Sequence, residues 1–166
     1  MTMVVAPKAF THAMRGLIGH CTVITASHEG AKTGMVVTSG VSLTAEPPQV
    51  LFCINRGSST WPVLRSSGTF GWSSLGAAHE NVARRFAGFG GIKGADRFTG
   101  ASWIETPGGV LLLEDAPLAL ACEVVEMVEC DSHDIVIGRV TQVRSEPGAG
   151  ALSYHEGAFH PMHKPA

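Results

Sequence analysis

Short β-rich or apolar runs, bounded by turn residues, recur through most of this chain and read as strands. Gly19 to Ser27 is β-rich around Cys-Thr-Val-Ile-Thr and ends at His28-Glu29-Gly30, where a turn needs a glycine at positive φ. Thr33 to Ser39 completes a hairpin, and the chain then runs through Val41-Ser42-Leu43 to a stop at Pro47-Pro48. Gln49 to Ile54 is a further short apolar strand. Beyond it, Thr69 to Leu75, Ala101 to Glu105, Val110 to Leu113, Leu118 to Val128, Asp134 to Arg144 and Ala151 to Tyr154 also read as strands.

Helical spacing interrupts this pattern in a few places. Ala6 to Gly16 sets Phe10, Ala13, Met14 and Leu17 on one face of a short helix. Ser58-Ser59-Thr60 before Trp61-Pro62 is a helix start, hydroxyl residues followed by a proline near the first helical position. Ala77 to Ala87 places Val82 and Phe86 four apart, with Arg84-Arg85 near the end where the helix dipole favours cations. Gly88 to Gly94 then reads as a flexible loop. Strands and helices do not alternate as βαβ units, which argues against a doubly wound parallel sheet. The expected class is mainly β, an antiparallel barrel with a few short helices.

Composition narrows the partners. The chain has 166 residues with no linker or repeat, so residues 1–166 are expected to form one domain. Charged residues are 16% against 45% hydrophobic, where about a quarter charged is usual, so further apolar surface is expected in an oligomer interface. A net charge of −2 gives no footprint for nucleic acid or a membrane surface. Apolar runs such as Gly109 to Leu113 fall far short of the ~20 residues of a membrane helix. Met1 to Phe10 lacks the regions of a signal peptide, so the expected location is cytoplasmic. There Cys21, Cys53, Cys122 and Cys130, with no C-x-x-C pair, are expected to be buried small hydrophobes.

Common chemical signatures are missing. Gly88 to Gly94 fits neither G-x-G-x-x-G nor a P-loop, and it follows a helix. No G-x-S-x-G or H-E-x-x-H is present. His155, His160 and His163 have no close carboxylate or thiolate and read as a frayed tail, so no metal is expected. Glu123, Glu126 and Glu129 read as a solvated face. Two hydroxyl-rich loops remain, Gly34 to Ser42 and Cys53 to Thr60. The second sits at a helix N-terminus, where unpaired N–H groups and the dipole face an anion. Ordinary strand-end loops have the same composition.

These loops belong to an ordered series of landmarks. It comprises Phe10 to Met14, Gly34 to Pro48, Cys53 to Arg56 with Ser59 to Pro62, and Ala83 to Ala87. It continues with Asp96 to Phe98 and Trp103, Ser132 to Gly138 with Val140, and Leu152 to Tyr154 with Phe159-His160. In this series the chain resembles the flavin reductases of the FMN-binding split-barrel superfamily. It is similar in particular to the reductase components of hydroxyphenylacetate-type and pyrimidine-ring-opening monooxygenases.

The resemblance implies a homodimeric, Greek-key-like split barrel. It also implies hydride transfer from NADH, or NADPH, to FMN or FAD, with reduced flavin supplied to a partner monooxygenase. By the same resemblance Val36, Val37, Thr38, Ser39, Gly40 and Ser42 lie along the isoalloxazine and ribityl chain. Cys53, Ile54 and Asn55 approach the ring and ribityl hydroxyls, and Ser59 and Thr60 take the phosphate. Arg85 and Phe86 close on the phosphate or adenylate end, while His133 and Tyr154 form the nicotinamide pocket.

Each residue also has a plain structural reading. Ser39, Ser42 and Thr60 suit turns and caps, Cys53 a strand interior, Arg85 a solvated helix end and His133 a barrel interior. Val36 stands where threonine is common, Ser73 where asparagine is, and Asp131-Ser132 where a glycine-containing pair precedes the histidine. Two other functions stay open: a flavoprotein reducing another acceptor such as a cobalt corrinoid, and a non-catalytic flavin- or haem-binding barrel.

Overall fold

The computed structural model describes residues 4–164. In chain order the elements are α1 (Pro7–Met14), β1 (Gly19–His20), β2 (Thr22–His28), β3 (Ala31–Val37), β4 (Val41–Ala45) and β5 (Pro48–Asn55). Next come α2 (Thr60–Ser67), β6 (Thr69–Ser74), α3 (Glu80–Phe86), β7 (Trp103–Glu105) and β8 (Leu111–Leu113). The chain ends in β9 (Leu118–Cys130), β10 (His133–Ser145), β11 (Ala151–His155) and β12 (Ala158–Met162).

Seven strands pair in the order β3-β2-β6-β9-β10-β5-β4, and every ladder is antiparallel. At about 4.8 Å per strand a flat sheet of this order would hold its edges some 29 Å apart. The edge strands β3 and β4 are nevertheless joined by residues 38–40 alone, which reach at most about 14 Å from Val37 to Val41. The sheet must therefore curl until its edges meet. The result is the antiparallel barrel expected, split where β3 and β4 face each other without a ladder.

Alternation along the strands feeds two cores. Ile24, Val37, Phe52, Ile54, Phe70, Trp72 and Val136 fill the barrel, and Leu64 of α2 closes it. Phe52 meets Phe70 and Trp72 edge-on, with ring centroids 5.2 and 6.4 Å away. Val23, Leu75, Phe86, Phe98, Leu112 and Leu152 form a second layer outside the sheet. Strand β2 is buried on both faces because Val23 and Ile24 serve different layers. Its hairpin to β3 turns at Glu29 and Gly30, both at positive φ, as a tight two-residue turn requires.

Several expectations are corrected. The helix predicted over Ala77 to Ala87 starts only at Glu80, because the His79 ring takes the Gly76 N–H on Nδ1 at 2.9 Å and holds a turn. The segment read as a frayed tail is a hairpin. Strand β12 pairs with β11, β1 joins β11, and His160 Nε2 lies 3.2 Å from the His155 carbonyl. Gly88 to Gly94 contains a 3-10 turn at Phe89–Gly91.

Two cysteines are buried as expected, and burial pushes the Cys21 thiol up to about 11 and the Cys122 thiol up to about 12. Cys53 is half-buried, while Cys130 is exposed because β9 outruns β6 and keeps only β10 beside it. Helix α1 buries none of its residues, and Phe10 and Met14 on its apolar face are exposed. Arg15, just beyond α1, reaches the Glu156 carbonyl at 2.8 Å. No helix among the described residues is long and apolar enough to cross a membrane.

Candidate active site

Strand β4 pairs with β5 only as far as Leu51. From Phe52 to Asn55, β5 has β10 on one side and no strand on the other. On that open side the Cys53 N–H donates to Ser39 Oγ at 3.0 Å. In an extended strand every second residue directs its backbone groups the same way, so those of Asn55 face the opening too. The Asn55 carbonyl takes the Ser58 N–H at 3.0 Å, and its side-chain Oδ1 takes the Gly57 N–H at 2.7 Å. With Oδ1 engaged, the Asn55 amide offers its NH2 as a donor.

The loop between β3 and β4 lies across this opening. Thr38 and Ser42 are exposed, and Ser39 is half-buried with its hydroxyl proton still available. Gly40 is held so close to the Trp72 ring that a Cβ would stand 2.8 Å from Cζ2. Val36 is half-buried, whereas the side chains of Val37 and Ile54 point into the barrel core. Those two can meet a ligand only through their backbone.

At the α2 N-terminus, Ser59 is exposed, but the Thr60 side chain is fully buried with its hydroxyl 3.4 Å from that of Thr33. The Trp61 N–H is taken by Ser58 Oγ at 3.2 Å, and Pro62 has none. The donors left here are the Ser58 and Ser59 hydroxyls and the Ser59 and Thr60 N–H groups. The Thr60 hydroxyl expected on a phosphate therefore packs inside.

Arg85 and Phe86 also differ from expectation. The Arg85 guanidinium donates to the carbonyls of Asp96 and Arg97, the latter at 3.3 Å. The Phe86 ring is 2% exposed, with Phe98 and Trp103 centroids 5.1 and 5.2 Å away. Both residues clamp the segment around Asp96 to Phe98 onto α3, and the ring has no face for a ligand.

His133 opens β10, exposed and directly across from Asn55, with Nδ1 2.9 Å from Ser132 Oγ. Tyr154 sits in β11 against Phe159 at 5.0 Å. It lines a cleft of about 280 Å³ with Val36, Thr38 and Phe89, and a second of about 470 Å³ with Thr38, Met14 and Gly19. Neither cleft includes His133. A continuous strip runs from Tyr154 through Thr38, Ser39, Cys53 and Asn55 to His133. The two residues expected in one nicotinamide pocket thus stand at its opposite ends within one protomer, because they belong to different sheets.

One group was missed by sequence reasoning. Trp61 Nε1 donates to Asp134 Oδ2 at 2.6 Å, and Arg56 Nε lies 3.7 Å from Asp134 Oδ1. The alternation of β10 places Asp134 on the face opposite His133, but no local signal names its partners, 73 positions away in the case of Trp61.

Comparison with known proteins identifies the family. The family described as "Flavin reductase like domain" matches residues 14–163. FMN reductase (NADH) RutF of Pseudomonas syringae pv. syringae (strain B728a) is 34% identical, over 98% of this chain and 91% of its own. An NADH:FAD oxidoreductase of Streptomyces globisporus C-1027, solved in complex with NAD and FAD fragments, superposes with a TM-score of 0.86 at 25% identity, covering 99% of each chain. Nitrilotriacetate monooxygenase component B from Mycobacterium thermoresistibile gives a TM-score of 0.85 at 25% identity, over 96% of this chain and 90% of that one. A match of this extent, over the strands and loops that build the strip, means that the chain belongs to the flavin reductase-like domain family.

Proposed function

We propose that the chain is an NADH-dependent flavin reductase that works as a homodimer and supplies reduced flavin to a partner monooxygenase. The observation that carries this reading is the open half of β5, where Ser39, Asn55 and Ser59 present donors along one strip. Support for the nicotinamide comes from the relative named FMN reductase (NADH), and for the partner from the similarity to a monooxygenase component B.

The residues fit a flavin. Its ring carbonyls, ribityl hydroxyls and phosphate are mostly acceptors, and the strip offers the Thr38, Ser39 and Ser42 hydroxyls and the Asn55 amide. Val36 supplies a half-buried apolar surface for a ring, and the α2 N-terminus suits the phosphate. When bound, the flavin is the hydride acceptor and the reduced nicotinamide the donor, so the chain needs no nucleophile or acid–base pair of its own. Its work is to hold two rings at reactive distance and direct donors at the charge that develops. Gly40 against Trp72 keeps the Thr38–Ser39 donors in register with Asn55. His133, with one ring nitrogen beside Ser132, leaves the other for the nicotinamide carboxamide.

The direct test is absorbance at the NADH band with added FMN or FAD. Flavin-dependent oxidation of NADH is the expected result, and its absence with every pairing of FMN or FAD with NADH or NADPH would sink the reading. His133→Ala is expected to raise the nicotinamide KM by about ten-fold, the value of one good hydrogen bond, with flavin Kd little changed. An unmoved nicotinamide KM would remove His133 from the site.

A further inference from the structure

The carboxylate of Asp134 is the buried polar group that the proposed chemistry leaves unused. The residue is 4% exposed, and its Oδ1 has no hydrogen-bond partner. Its cross-strand neighbours are Ile54 on β5, a fully buried core residue, and Glu129 on β9. Burying a carboxylate without full pairing is unfavourable. What Asp134 holds is therefore informative.

Oδ2 accepts from Trp61 Nε1 at 2.6 Å, and Oδ1 faces Arg56 Nε at 3.7 Å. Arg56 also pairs with Glu129 and lies over the Trp61 ring, 5.6 Å from its centroid. Arg65 approaches the same ring at 5.1 Å, so the indole is braced by two guanidinium groups. Arg56 and Trp61 are the two ends of one short segment. Between them lie Ser58, Ser59 and Thr60, with the donors assigned above to the flavin phosphate.

We propose that Asp134 is a positioning residue that holds both ends of the Arg56–Trp61 segment and so sets flavin affinity. The inference rests on the flavin-site reading above. Its effect is one-sided, because the β10 backbone carrying His133 is held independently by ladders to β5 and β9. Loss of the tie loosens the phosphate end and leaves the nicotinamide end in place.

The test uses the full chain with Asp134→Asn, which keeps size but removes the charge facing Arg56, and Trp61→Phe, which removes only the donor and part of the ring. FMN and FAD are titrated by flavin fluorescence, and NADH oxidation is followed at saturating flavin. Each variant is expected to raise flavin Kd about ten-fold, with kcat and NADH KM within about two-fold of wild type. A lower Tm with flavin Kd unchanged in both variants would overturn the proposal, as would a rise in NADH KM equal to that in flavin Kd. Normal wild-type turnover with unmoved variants overturns this inference alone. A wild type that neither binds flavin nor oxidises NADH overturns the flavin-site reading and this inference together.

Discussion

Phe52→Ala is expected to lower the thermal midpoint by roughly 6–20 °C, followed by circular dichroism. The ring is fully buried and meets two other aromatic rings edge-on at the centre of the barrel. Removing it deletes those contacts and leaves a cavity that neighbours on curved, paired strands cannot collapse into, a loss of about 3–5 kcal/mol. For a chain of this size each kcal/mol moves the midpoint by about 2–4 °C. Phe52→Leu, which refills most of the volume, should recover much of the loss. A midpoint within about 3 °C of wild type would mean that the barrel interior is not the cooperative core described above.

Gly40→Val is expected to reduce flavin-dependent NADH oxidation by about a hundred-fold while costing less stability than Phe52→Ala. The new side chain would overlap the Trp72 ring, which is 5% exposed and donates Nε1 to Ser74 Oγ at 3.1 Å. The ring has no room to retreat, so the loop must. With only residues 38–40 joining the two barrel edges there is no slack to absorb the shift. Thr38 and Ser39 then leave their places, and the Cys53 N–H loses its acceptor. A displacement of about an ångström is enough for an effect of this size when rings must meet at reactive distance. Steady-state rates across flavin concentration check it, and a loss smaller than about three-fold would separate this loop from the site.

The barrel was legible in the sequence because β-rich runs bounded by turn residues dominate it and do not alternate with helices. Val23 and Ile24, or Leu120 and Ala121, differ in core exactly as neighbours on a doubly buried strand must. What such runs do not report is the identity of the group across the gap. Thr60 and Ser59 are equivalent as hydroxyl residues, yet only the packing of α2 on β3 turns one toward Thr33 and leaves the other in the open. Phe86 followed the same course, drawn inward by Phe98 and Trp103 from a distant segment. The tail histidines are ordered by a two-residue turn at Glu156-Gly157, and the hairpin it makes is what seats Tyr154.

The half-paired strand β5 has a consequence for how the protein behaves in concentrated solution. A bare strand edge is a template for a foreign strand and a route to aggregation. Here the Cys53 N–H is capped by a serine hydroxyl instead of a neighbouring backbone, and the Asn55 carbonyl is capped by the turn that follows it. An intruding strand would find one backbone group of each edge-facing residue, Cys53 and Asn55, already taken. The same caps that keep the edge open to a small planar molecule thus keep it closed to another polypeptide.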